Sequence, residues 1–177
     1  MHKLIVFFSI LILFPLVLFT QSNIKKIYLS DVNYFTPKVF INDDGYETYE
    51  YELNENIPDA YYKVYYKEDF STLYMEGAIE NNKKEGVWIF YNEFGKLKCK
   101  TEYHSGEKNG LEKKYDLNGN LIETSNYERN LLNGERIQYY PSGAKRTLTK
   151  FINDQPVGYM TVFDENGEVI KKINIPN

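Results

Sequence analysis

The sequence is poor in the residues that do chemistry: 177 residues hold one cysteine, two histidines and one tryptophan. The single thiol, Cys99, excludes an intramolecular disulfide and lies far from any position where an N-terminal lipid anchor could attach. Beyond the first residues the only histidine is His104, so no zinc constellation can be assembled. A nucleophilic triad would rest on that one side chain, in the loop "YHSGEKNG", where a solvated role is expected. Phosphate-binding and dinucleotide fingerprints are missing too. "NDDG" at 42–45 and "DENG" at 164–167 supply acids, but not the further ligands at the spacing that a calcium loop needs. No catalytic residue, metal or cofactor is expected. A formal charge of -4 without a basic stripe excludes nucleic acid as a partner.

A long apolar run occurs only at the start, in "MHKLIVFFSILILFPLVLFTQS". Lys3 precedes an almost unbroken apolar stretch from Leu4 to Phe19, which is the pattern of a signal peptide over residues 1–22. Cleavage after Ser22 or after Thr20 fits, and an uncleaved anchor, the one route to membrane attachment here, is the competing reading. Export to the periplasm, cell envelope or medium is therefore expected. Removing 1–22 takes away Lys3 and no acid, so the charge goes from -4 to -5.

What the chain does have is tyrosine, 17 of them and all beyond the leader, a composition suited to half-buried strands. It also has a period. Gly86, Gly110, Gly134 and Gly158 stand 24 residues apart, as do Gly95, Gly119, Gly143 and Gly167. The aromatics Tyr91, Tyr115, Tyr139 and Phe163 keep the same spacing, and Tyr103, Tyr127 and Phe151 fall midway between them. Between each aromatic and the following glycine stand "NEFG", "DLNG", "YPSG" and "DENG", with the chemistry of a type I turn closed by a bulge glycine. Each unit reads as a β-hairpin, its segments too short for helices. Both glycine series are expected at turns.

The expected fold is all-β, an antiparallel meander of tandem 24-residue β-hairpin repeats. Residues 23–65 form a β-rich segment, with "KKIYLSD", "YETYEYEL" and "YYKVYY" as strands, and residues 66–177 form the array. A degenerate first copy, at 66–85 and one residue too long, precedes repeats that begin at 86, 110, 134 and 158. If Tyr91 faces Leu97, odd-numbered residues of both strands share one face, including Val87, Ile89, Tyr91, Leu97, Cys99 and Tyr103. Lysines such as Lys98, Lys100 and Lys114 then fall on the even face, and the sheet is expected to be one-sided.

The frame G-x-W-x-x-Y-x-x-x-G-K at Gly86, Trp88, Tyr91, Gly95 and Lys96, followed by Tyr103, Gly106, Lys108 and Gly110, resembles the bacterial MORN-repeat variant of the YwqK-family antitoxin-like proteins. The later copies depart from it, with Glu112, Arg136 and Met160 at the tryptophan position and Asn130 and Asp154 at that of Gly106. The resemblance implies a MORN-like ribbon that mediates interactions, not an enzyme. The row Tyr91, Leu97, Tyr115, Leu121, Tyr139, Lys145, Phe163 and Val169 suits cross-strand packing first and a binding stripe second. Candidate binding residues are Trp88, Tyr91, Tyr115, Tyr139 and Phe163. The expected partner is an unidentified protein; the alternatives are a cell-envelope glycan or lipid-surface binding module that uses the aromatic row, or antitoxin-like neutralisation of a partner protein.

Overall fold

The computed structural model describes residues 24–28, 31, 34–41, 47–54 and 56–176. The leader 1–22 and the acids of "NDDG" lie outside them. Among the described residues every regular element is a strand. β1 (Ile24–Tyr28), β2 (Phe35–Ile41), β3 (Glu47–Leu53), β4 (Ala60–Tyr65) and β5 (Leu73–Glu80) lead into the regular repeats. Those comprise β6 (Lys83–Tyr91), β7 (Leu97–His104), β8 (Glu107–Tyr115), β9 (Leu121–Glu128), β10 (Leu131–Tyr139), β11 (Lys145–Ile152), β12 (Gln155–Phe163) and β13 (Val169–Asn174). Eleven strands form one sheet, in which β1 lies parallel to β4 and β4 to β13 follow one another as an antiparallel meander. β2 and β3 pair separately.

Two kinds of turn alternate. Within a repeat, the leading Asn or Asp caps the turn: Asn92 Oδ1 accepts the Phe94 and Lys96 N–H groups, both at 3.0 Å. Asp116 and Asp164 do the same for Asn118 and Asn120 and for Asn166 and Glu168, at 2.8–3.0 Å. Between repeats, two-residue loops place both residues at positive φ, as in Asn81-Asn82, Ser105-Gly106, Arg129-Asn130 and Asn153-Asp154. The second residue of each later loop donates its N–H one repeat back, from Gly106 to Lys84 O, Asn130 to Lys108 O and Asp154 to Leu132 O. Where Asn130 or Asp154 replaces glycine, its side chain returns the bond, accepting the Lys108 N–H at 2.8 Å or the Leu132 N–H at 2.7 Å. These departures from glycine therefore add a link between repeats.

Tyr91 pairs with Leu97, Tyr115 with Leu121, Tyr139 with Lys145 and Phe163 with Val169. The expected odd-numbered face nevertheless does not form. The next pair is Phe90 with Cys99, so Leu97 and Lys98 both oppose Tyr91, and this bulge changes the parity between the two strands. Lys114 with Glu123, Gln138 with Thr147 and Val162 with Lys171 show the same step. Even residues of the first strand therefore share a face with odd residues of the second: Trp88, Phe90, Cys99, Thr101 and Tyr103 lie on one side, which we call inner, and Ile89, Tyr91, Lys98 and Lys100 on the other.

Gly95, Gly119, Gly143 and Gly167 sit in the turns as expected, but Gly86, Gly110, Gly134 and Gly158 fall inside strands. Each of those four takes a positive φ where the register with the preceding strand breaks. At Gly110 a Cβ would overlap the Glu102 carboxylate, which accepts the Leu111 N–H at 2.9 Å. The degenerate first copy also differs from expectation. Its hairpin begins at Ala60 in β4, and Tyr65 stands 26 residues before Tyr91 while Leu73 stands 24 before Leu97. The turn thus holds two extra residues rather than one, and Phe70 adopts φ 54° within it.

The apolar core occupies the inner face at this end: Ile27, Ile57, Ala60, Tyr62, Val64, Met75, Ile79 and Trp88. The Trp88 indole lies against Gly77 and donates Nε1–H to Ala78 O at 3.0 Å. Tyr62 donates to Pro58 O at 2.7 Å, and Asp59 accepts the Asn81 N–H at 2.8 Å, which ties the segment ahead of β4 to the sheet. A methyl group at residue 77 would overlap the indole. Gly77→Ala is expected to cost about 1–3 kcal/mol, measured by denaturant unfolding followed through Trp88 fluorescence.

Candidate functional site

Along the inner face the side chains change from apolar to charged. Lys84 Nζ lies 4.9 Å from the Trp88 ring centroid and 5.2 Å from those of Phe90 and Tyr103. Burial, then the neighbouring Lys108 ammonium, lowers its pKa from 10.5 to about 8. Further along, Glu112 is 3% exposed and Glu123 is 7% exposed. Glu112 accepts from Lys108 Nζ at 2.7 Å and Thr101 Oγ1 at 3.0 Å. Glu123 accepts from Lys114 Nζ at 2.9 Å and from Arg136 Nε and Nη2 at 2.8 and 2.7 Å. Burial alone would favour the protonated acids, but these donors outweigh it and hold both carboxyls below the ordinary range. Every buried side-chain N or O atom among the described residues has a hydrogen-bond partner, so this ladder is complete as packing.

The outer face holds the aromatic row. The Tyr91 hydroxyl donates to Glu76 Oε1 at 2.6 Å, and the Tyr139 hydroxyl and Thr124 Oγ1 lie 3.2 Å apart. Tyr91, Tyr115, Tyr139 and Phe163 are all partly buried there. Trp88 does not join them, being fully buried on the opposite side, so it is a core residue and not a binding residue. Beside the row, two turn tips carry large apolar side chains that the turns do not require: Phe94 is 71% exposed and Leu117 is 60% exposed. Lys96 Nζ donates to Leu117 O at 2.8 Å and joins the two tips. Between them lies an open groove of about 670 Å³ lined by Tyr66, Phe94, Leu97, Lys98, Tyr115 and Leu117, among others.

This geometry belongs to hairpins repeated at one register. Residues 84–105 and 108–129 match the MORN repeat variant. These two matched segments are the hairpins β6–β7 and β8–β9, whose turns carry Phe94 and Leu117. No curated protein matches the chain. Sequence reading found the aromatic row but missed Phe94 and Leu117. Their signal was present as apolar residues inside turn tetrads, where polar ones are the rule.

Reactive groups do not converge. His104 Nδ1 lies 2.9 Å from Glu85 Oε1, and Ser105 donates its N–H to Glu85 Oε2 at 2.8 Å. Partial burial disfavours the Glu85 charge, but those contacts lower its pKa on balance. Cys99 is half-buried on the inner face, and its thiol pKa is raised by burial and by Glu112. Among the described residues no three His, Cys, Asp or Glu side chains gather as metal ligands. The acids of "DENG" at 164–167 serve the turn through Asp164.

The buried ladder sets a pH response. Glu112 and Glu123 have folded pKa values below the ordinary 4.5, so their stabilisation is present above that pH and is lost as pH falls through the folded values. The acid loss of thermal stability below about pH 4.5 should be shallower in Glu112→Gln/Glu123→Gln, which should also be less stable at pH 7. For Lys84 it is the neutral form that the folded state favours. Its folded pKa lies below that of the unfolded chain, so its charge opposes folding at neutral pH, and stability rises between about pH 8 and 10.5. Lys84→Met should raise stability at pH 7 by about 1 kcal/mol, since the lost ring contacts offset part of the gain. Unfolding curves at pH 7 and pH 10 check this, the gain narrowing at the higher pH.

Proposed function

We propose that this protein is a non-enzymatic, exported scaffold that binds another protein through the outer face of its MORN repeats and the turn tips beside it. The exposure of Phe94 and Leu117 on consecutive repeats carries this reading. Each turn is already closed by its Asn92 or Asp116 cap and its glycine, so the large apolar tips serve something other than the turn. Adjacent exposed apolar groups over an open groove favour a protein surface as occupant. Export rests on the leader 1–22, and the resemblance to antitoxin-like proteins offers neutralisation of a partner as one form such binding could take.

A second reading, capture of an envelope glycan, draws on the Tyr91, Tyr115, Tyr139 and Phe163 row. The Tyr91 and Tyr139 hydroxyls are engaged within the sheet, so ring faces would do the binding. The two readings separate in one experiment. Phe94→Asp/Leu117→Asp should leave circular dichroism and melting temperature near wild type, yet reduce capture of a protein from the exported fraction at least about tenfold. Undiminished capture by the folded variant would falsify the protein-binding surface, while retention of wild type on isolated envelope polymers would favour the glycan.

A further inference from the structure

We propose that β13 takes up an extended segment of a partner protein as the next antiparallel strand of the sheet, a segment that carries two adjacent carboxylates preceded by alternating apolar residues. Among the described residues β13 is bonded on one side only, to β12. Ile175 donates its N–H to Gly158 O at 2.9 Å, so the main-chain groups of Lys172 and Asn174, of the other parity, point away from β12. They form an open edge onto which a strand can be added.

The side chains beside that edge set what fits it. Lys171 lies opposite Val162 and Lys172 opposite Thr161, so Lys171 is on the inner face and Lys172 on the outer. Both are exposed, and among the described residues neither ammonium has an ion-pair partner. Beyond Lys171 on the inner face, Ile173 and Ile175 join Phe151, Pro156 and Met160 along an open groove of about 310 Å³, whose one charged lining residue is Arg136.

Residues paired across two strands share a face, and consecutive residues of one strand alternate faces. Two consecutive acids therefore meet Lys172 and Lys171 together, one on each side of the sheet. The residues opposite Ile173 and Ile175 then continue the apolar groove, and the incoming strand reads apolar-x-apolar-acid-acid. Opposite charges across a strand pair stabilise it and like charges oppose it. A second β13 would gather four lysines at one junction, so the charges that select an acidic segment also disfavour a copy of this edge. The groove beside β13 shares no residue with the Phe94–Leu117 groove, and its occupant is a separate contact.

Fluorescence anisotropy of a labelled Thr-Val-Thr-Val-Glu-Glu-Thr peptide titrated with the purified protein tests this. Binding should saturate, weaken with added salt, and be at least about tenfold tighter than that of the same peptide with Lys-Lys in place of Glu-Glu. Lys171→Glu/Lys172→Glu should reverse the preference and take up the Lys-Lys peptide, a result that a misfolded variant could not produce. Asn174→Pro removes an outward N–H where an edge strand tolerates proline and leaves every charge in place, and it should weaken the Glu-Glu peptide at least about tenfold. Phe94→Asp/Leu117→Asp should bind that peptide as the wild type does. The proposal is overturned by unsaturable binding, by equal affinity for the two peptides, or by a reversed variant that keeps the original preference. Undiminished binding to Asn174→Pro, or weakened binding to Phe94→Asp/Leu117→Asp, overturns it too. So does a wild-type dimer in light scattering that Asn174→Pro returns to monomer, which makes a second copy the occupant.

Discussion

The bulge opposite each turn-flanking aromatic decides which side of the sheet every later residue occupies. Two residues, such as Leu97 and Lys98, oppose one, Tyr91, and the parity of the second strand is offset from that of the first. The in-strand bulge at Gly86, and again at Gly110, Gly134 and Gly158, then feeds the chain into the next hairpin. Because the spacing is 24 residues throughout, the offset recurs in each repeat. Without it Trp88 and Thr101 would fall on opposite faces; with it they pair on the inner face, and both are buried.

That face shows how an extended sheet can bury polar groups. Near β4 a core of Tyr62, Met75, Ile79 and Trp88 is covered by residues from outside the array, including Ile57. Farther along, Lys108 reaches Glu112 along β8, and Lys114 and Arg136 reach Glu123 from the strands on either side of it. The position filled by Trp88 in the first regular repeat is taken by Glu112 and Arg136 in the next two, and this substitution converts an apolar core into an ion-pair ladder. Both solutions satisfy the same geometric slot. The loss of the tryptophan is therefore a change in how the slot is packed.

The surfaces left over carry the functional reading. The aromatic row is partly buried, and the Tyr91 and Tyr139 hydroxyls are engaged within the sheet. The turn tips differ, because their conformation depends on the first and last residues of the tetrad and leaves the middle two free to vary. Glu93-Phe94, Leu117-Asn118, Pro141-Ser142 and Glu165-Asn166 occupy those middle positions on one frame. A repeat array of this kind can change what it contacts without changing how it folds.

The repeat period, the hairpin in each unit, the glycine-closed turns and the pairing of Tyr91 with Leu97 were all legible in the sequence, because each depends on local backbone chemistry and recurs four times. The sequence alone thus determined an antiparallel all-β meander. The faces were not legible. The bulge at Leu97–Lys98 and its equivalents adds a residue to one strand with no glycine to mark it, and one such step inverts the parity on which a face assignment rests. Tertiary structure therefore decided that Trp88 is core while Tyr91 is not, that Glu112 and Glu123 are buried among cations, and that Phe94 and Leu117 flank one groove. Those outcomes depend on contacts between strands of neighbouring repeats, which residue spacing along one strand does not encode.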